Sequence, residues 1–103
     1  MYITTTPSFE GREIKEYKGV VFGEVINGIS FTKDFVAGIT DFVGGRSKTY
    51  EQEIVDARTN AVNEMIERAK SLGANAIVGV SIDIEALTNT MLMVTATGTA
   101  VII

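Results

Sequence analysis

Between residues 54 and 72 the chain places Ile54, Ala57, Ala61, Val62, Met65, Ile66, Ala69 and Leu72 at steps of three and four, and then the period changes. Apolar side chains at that spacing share one face of an α-helix, so the rest of the chain must supply a surface for a stripe about five turns long. Gln52, Asp56, Asn60, Asn63, Glu67 and Lys70 fall mostly on the other faces. Thr49 with Gln52 three residues later predicts a capping box at the helix start. Glu51 and Glu53 stand at the positive end of the macrodipole, Arg68 and Lys70 at the negative end. Gly73 is placed to close the helix in the left-handed conformation. A large apolar side chain contributes about 1.5–3 kcal/mol when fully buried, against a few tenths for an exposed ion pair. Packing therefore holds this helix.

Beyond Gly73 the period becomes two. Val78, Val80, Ile82 and Ile84 alternate with Gly79, Ser81, Asp83 and Glu85, which predicts a half-buried strand with one polar face. Leu87, Thr88, Asn89 and Thr90 supply a turn, and residues 91–103 predict a long antiparallel closing strand. Thr95, Thr97 and Thr99 would line one face of it and Val94, Ala96, Gly98 and Ala100 the other, where small residues let a helix or a second subunit approach closely. Upstream, residues 3–6 predict a short edge strand broken by Pro7, the only proline. A turn follows at Glu10, Gly11 and Arg12. Residues 14–26 form a long strand with a bulge or bend at Gly19 and Gly23. Asn27 and Gly28 signal a turn into a further short strand at Ile29, Ser30 and Phe31. Phe35, Ile39 and Phe42, with Val36 and Val43 beside them, predict a shorter helix capped by Thr32 or Asp34 and ended at Gly44 and Gly45. The predicted fold is α+β: an antiparallel sheet with a short helix and one long amphipathic helix packed on it, residues 1–103 forming a single domain.

Composition removes several function classes. The chain has no cysteine and no histidine, which excludes disulfides, thiolate metal sites, cysteine nucleophiles and the usual general base. Its net charge is −4 and its nine Lys and Arg residues are scattered, whereas duplex nucleic acid calls for clustered cations, so no nucleic-acid partner is expected. No apolar run reaches the roughly 18–20 residues of a membrane span and no secretion signal opens the chain, so a cytoplasmic protein without a membrane partner is expected. A hydrophobic content of 46% is high for a 103-residue chain, which at this size leaves much surface to wet. That combination points to burial between subunits.

Three stretches carry the chemistry there is. Gly44, Gly45, Arg46, Ser47 and Lys48 lie before the long helix, where free backbone N–H groups and two cations suit an anion, although the spacing is not that of a P-loop. A plain turn fits the same residues. Asp83 and Glu85 project from one strand face, while Glu53 with Asp56 and Glu64 with Glu67 share helix faces. Paired carboxylates hold Mg²⁺, Mn²⁺ or Ca²⁺ or serve glycoside hydrolysis, and they equally mark a solvated face. Met91 and Met93 put two thioethers on one side of a strand, a soft set suited to Cu(I) but also ordinary core filler.

The run Lys33, Asp34, Phe35, Val36, Ala37, Gly38, Ile39, then Gly44, Gly45, Arg46, Ser47 with Tyr50 and Glu51, then residues 73–80 (Gly, Ala, Asn, Ala, Ile, Val, Gly, Val) resembles the YbjQ family. The opening Thr5, Thr6, Pro7 and the closing Met91, Leu92, Met93, Val94 with Gly98, Thr99, Ala100, Val101 extend the likeness over essentially the whole chain. The resemblance implies a dodecin-like α+β subunit assembled as a homopentameric ring. It also brings a heavy-metal-binding label and no catalytic residues. Soft metals favour thiolate or imidazole, so any metal here must use carboxylates, backbone carbonyls or Met91 and Met93. The expected function is a non-catalytic homo-oligomer holding a small ligand or cation between subunits, with Gly44, Gly45, Arg46, Ser47, Asp83 and Glu85 as candidate lining. A structural or adaptor assembly is the alternative, and an acid/base hydrolase using Asp83 and Glu85 a distant third. The residues alone identify neither ligand nor cofactor.

Overall fold

The computed structural model describes residues 1–28, 48–88 and 91–103. In chain order the elements are β1 (Tyr2–Ile3), β2 (Glu16–Gly28), α1 (Lys48–Ser71), β3 (Ala76–Thr88) and β4 (Met91–Ile102). The strands form one sheet in the order β1, β3, β4, β2. β4 runs antiparallel to both neighbours, as its alternation predicts, but β1 pairs parallel to β3, Tyr2 beside Ala76 and Ile3 beside Ile77. The sheet is therefore mixed, a correction to the all-antiparallel expectation. A two-residue strand lacks the pattern from which direction is read. Its edge role continues past Ile3, because the Gly79 N–H donates to Thr6 O and the Val80 N–H to Thr4 O. The predicted short helix, and the short strand at residues 29–31, lie outside the described residues.

The helix packs chiefly on β2 and β4 and touches β3 least. Ala57, Ala61, Met65 and Ala69 are buried against Val21, Ile77, Val80, Val94, Ala96 and Ala100, with Val25, Val62 and Ile66 half-buried around them. Leu72, counted in the stripe, is instead exposed. The reason is the helix end. The Ala74 N–H donates to Ala69 O at 3.1 Å and the Gly73 N–H to Lys70 O at 2.9 Å, with Gly73 at φ +82°, a Schellman closure that turns the chain before Leu72 reaches the sheet. At the other end the helix begins at Lys48, so Thr49 is its second residue rather than its cap.

Of the two β2 glycines read as sites of a bulge or bend, Gly19 bears the reading out and Gly23 does not. β2 shifts register at Tyr17 and Gly19, whereas Gly23 pairs regularly with Ala96 and lies directly under the helix backbone. A Cβ at Gly23 would stand 1.9 Å from Ala61 O. Only the absence of a side chain lets strand and helix meet there. In β3 the register slips between Val78 and Ser81, around Gly79 at φ +63°. The slip breaks the predicted alternation, because Val78 falls in a second cluster on the far face with Ala76, Val101 and Ile103, while Val80 joins the helix side. Phe9 and Ile14 pack on that second cluster. The side chain of Asn75 fastens this end: Nδ2 donates to Ile103 O at 3.0 Å, and Oδ1 accepts from the Ile103 N–H at 2.9 Å.

The molecule is long and thin, 52 × 24 × 17 Å. Strands of thirteen residues reach about 43 Å, and 24 residues of helix only about 36 Å. From Ser81 onward β3 is exposed on both faces, which corrects the expectation of a half-buried strand.

Candidate functional site

Opposite the helix, the sheet presents an open face whose composition follows from the register. One row crosses Glu24, Thr95 and Asp83, the next Ile26, Met93 and Glu85, and a third Phe22, Thr97 and Ser81. Strands stand about 4.8 Å apart, so each row sets a β4 threonine or methionine between an aliphatic, aromatic or acidic β2 residue and a polar β3 residue. Asp83 and Glu85 do share one face, as their spacing requires. With Ile84, Met93 and Thr95 they line a shallow hollow of about 410 Å³. Its polar side chains offer carboxylate and hydroxyl oxygens, a set that suits a hard cation or a hydrogen-bonding ligand, with the Met93 thioether the one soft side-chain atom. Among the described residues no cluster of three or more acidic side chains forms a metal cage.

Of the other paired carboxylates, Asp56, Glu64 and Glu67 have partners on the helix itself. Glu64 pairs with Arg68 at 2.6 Å, Glu67 with Lys70 at 3.7 Å, and Asp56 accepts from Gln52 Nε2 at 2.8 Å. These are ordinary contacts one helical turn apart on a solvated face. Gly44, Gly45, Arg46 and Ser47 lie outside the described residues, so their relation to Asp83 and Glu85 is left to experiment. Of the two thioethers, Met91 is exposed and Met93 half-buried beside Glu85.

Two features escaped sequence reasoning. Arg68 reaches across the β2 edge, donating from a guanidinium N–H to Phe22 O while its charge sits 5.0 Å from the Phe22 ring centroid. Separately, Ser8, Phe9, Gly11, Arg12, Glu13, Ile14 and Tyr17 line an open hollow of about 620 Å³, with the Arg12 guanidinium 5.4 Å from the Tyr2 ring centroid. Both depend on long-range pairing. The first joins residues 46 positions apart, for which a single sequence carries no signal.

Large apolar side chains outside the core are the remaining feature. On the open face Val20 is 74% exposed and Ile26 53%, with Phe22 between them. On the helix side Ile82 and Ile84 are 39% and 47% exposed, because the helix leans toward β2 and leaves them bare. No helix among the described residues is long and apolar enough to cross a membrane.

Comparisons with known proteins agree with this architecture. The YbjQ family model, described as "Putative heavy-metal-binding", matches residues 1–103. A protein of Clostridium botulinum (strain Eklund 17B / Type B) named only as a UPF0145 protein is 64% identical over 103 residues, covering 98% of this chain and 97% of that one. A UPF0145 protein of Acetivibrio thermocellus is 60% identical over 105 residues, covering 100% and 99%. The crystal structure of a protein of unknown function from Pediococcus pentosaceus, 20% identical, superposes with a TM-score of 0.67 over 100% of this chain and 97% of that one, a likeness of fold alone. None of these names states an enzymatic activity. By the full-length family match and by relatives this similar, both named as UPF0145 proteins, the chain belongs to the YbjQ family.

Proposed function

We propose that this protein is a non-catalytic subunit of a homo-oligomeric ring, a pentamer by family resemblance, that holds a small ligand or a hard cation where subunits meet. The observation that carries the reading is surface. The chain exposes 6601 Å², roughly 900 Å² above the ~5,700 Å² expected for a folded monomer of 11.1 kDa. Its Cα radius of gyration is 16.8 Å, against about 13 Å for a compact domain of this length. Large apolar side chains stand exposed on both sides of the sheet, Val20, Phe22 and Ile26 on one and Ile82 and Ile84 on the other. The Asp83 and Glu85 hollow supplies oxygen ligands of the kind a hard cation uses, and five copies around an axis would complete a donor set that one chain leaves partial. The Gly44 to Ser47 stretch, with Arg46, is the proposed contact for an anionic group.

Native mass spectrometry of untagged protein, purified without chelator, reports subunit number and any retained mass together. A thermal-shift panel of Mg²⁺, Mn²⁺, Ca²⁺ and common metabolites then reads binding as a rise in melting temperature. The rise is expected to vanish in Asp83→Ala or Arg46→Ala. No rise with any member of the panel removes the ligand part of the proposal.

A purely structural assembly is the second reading. It is favoured by the exposure of Asp83 and Glu85 and by the absence of a third acidic partner among the described residues.

A further inference from the structure

The connection from β1 to β2 crosses the sheet on the face opposite the helix, because β1 lies at one edge and β2 at the other. Its apolar residues Phe9 and Ile14 pack on Ala76, Val78, Val101 and Ile103 at the end of that face. Between them the Arg12 N–H donates to Phe9 O at 3.1 Å with Gly11 at φ +79°, a type II turn. Just upstream the Thr6 hydroxyl donates to Ser8 O at 2.6 Å and the Thr6 N–H to Thr4 Oγ1 at 3.2 Å. The connection is thus tied down along its length. The hollow of about 620 Å³ that it forms with Tyr17 has a fixed wall and the volume of a small-molecule site.

The charges in this hollow balance. Arg12 and Glu13 both line it, adjacent in the chain with Cα atoms about 3.8 Å apart. Among the described residues neither forms an ion pair. The Arg12 guanidinium instead lies 5.4 Å from the Tyr2 ring centroid, and Tyr2 meets Phe9 edge to face at 6.3 Å. That contact holds the side chain in place while its N–H groups stay available to a carboxylate. Tyr17, 69% exposed, adds a second ring to the lining. A simple anion placed here would meet Glu13, and a simple cation Arg12. A zwitterion meets both with favourable sign. We infer that this hollow is a binding site for a free aromatic α-amino acid, with its carboxylate on Arg12, its ammonium on Glu13 and its ring against Phe9, Ile14 and Tyr17. Such a ligand carries its two charges on one carbon, which suits a cation and an anion presented by neighbouring residues. The site is separate from that of Asp83 and Glu85. Tyr17 pairs with Val101 on β4 and Glu85 with Met93, eight residues along the same strand, or about 27 Å.

The test records amide NMR spectra of the isotope-labelled full chain with L-phenylalanine, L-tyrosine or L-tryptophan at up to about 10 mM, which detects millimolar binding. Three partial analogues accompany them: hydrocinnamate lacks the ammonium, phenethylamine the carboxylate and L-alanine the ring. The expected result is saturable shifts at residues 8–17 with the aromatic amino acids, and affinity weaker by about tenfold or more for each analogue. Arg12→Gln should lower the affinity for phenylalanine to that for phenethylamine, and Glu13→Gln to that for hydrocinnamate. Both side chains are exposed, and circular dichroism checks that both variants fold. No shift at 8–17 with any aromatic amino acid overturns the site. Equal affinity for phenylalanine and its two single-charge analogues, or affinity unchanged in both variants, overturns the zwitterion assignment. If a variant fails to fold, the analogue series on the wild-type protein decides.

Discussion

Replacing Gly23 by alanine adds a single methyl at the point where strand and helix backbones are closest. That Cβ would lie 1.9 Å from Ala61 O, 2.8 Å from Met65 N and 3.0 Å from Ala61 C. Side chains do not tolerate contacts under 3.0 Å, so the helix must lift by about 1.1 Å or β2 must sink by as much. Neither side yields cheaply, since the added Cβ is fixed to the strand backbone and every atom it meets is helix backbone. Lifting the helix separates Ala57, Ala61, Met65 and Ala69 from Val21, Val94 and Ala96, and a gap of 0.5–1 Å already forfeits a quarter to a half of each dispersion contact. Overpacking of this kind costs 1–3 kcal/mol and occasionally more, and a backbone clash belongs at the top of that range, so about 3 kcal/mol is expected. For a chain of this size that lowers the melting temperature by roughly 12–24 °C. The assay is thermal unfolding by circular dichroism at fixed protein concentration, with Glu24→Ala on the opposite face as control, expected within about 0.5 kcal/mol of wild type. A Gly23→Ala melting temperature within about 4 °C of wild type would refute the close approach of helix and strand.

Gly98→Ala places a Cβ 2.6 Å from Ile77 Cγ2, the branch methyl of a fully buried side chain and not a backbone atom, so a loss of about 1–2 kcal/mol is expected as a lower urea midpoint with unchanged slope. Asn75→Ala removes both side-chain hydrogen bonds to Ile103 and leaves a part-buried N–H and carbonyl to find water; chemical denaturation should register about 1–3 kcal/mol. Arg68→Ala deletes an ion pair, a carbonyl contact and a ring contact, all solvent-exposed, so the loss stays below about 1 kcal/mol and shrinks in high salt. A large, salt-independent loss from Arg68→Ala would refute the solvent-exposed reading of this contact.

The long helix and the three long strands were legible because each repeats one period over many residues. Ala57, Ala61, Met65 and Ala69 are buried as their spacing requires, and Gly73 closes the helix. Three things were not legible, each for a physical reason. The parallel pairing of β1 rests on two residues, too few to show a pattern. The slip at Gly79 moves Val78 to the far face, and a pattern of alternate residues cannot announce a single extra one. Gly23 looked like a bend because glycine inside a strand has two causes, local backbone freedom and close approach by a neighbour, and only the packing separates them. Within the candidate site, the shared face of Asp83 and Glu85 followed from their spacing. Their neighbours Thr95 and Met93 depend on register across the Gly79 slip and could not be read. Gly44, Gly45, Arg46 and Ser47 lie outside the described residues.

The distribution of side-chain size links the fold to the proposed assembly. Among the described residues alanine makes up seven of the sixteen buried hydrophobic residues, and the largest fully buried side chains are Met65, Ile77, Val94 and Val101. A buried methyl contributes about 0.8 kcal/mol, well below the 1.5–3 kcal/mol of a buried valine, isoleucine or methionine. The small stripe is what lets the helix lie against Gly23 and Ala96, so tight packing and a meagre core have the same origin. Meanwhile Val20, Phe22, Ile26, Ile82 and Ile84, each larger than an alanine, remain in solvent. Substituting these outer residues therefore costs an isolated chain little and an assembled one much, whereas substituting Gly23 or Ala61 costs both. That difference in concentration dependence separates residues that make the subunit from residues that join subunits together.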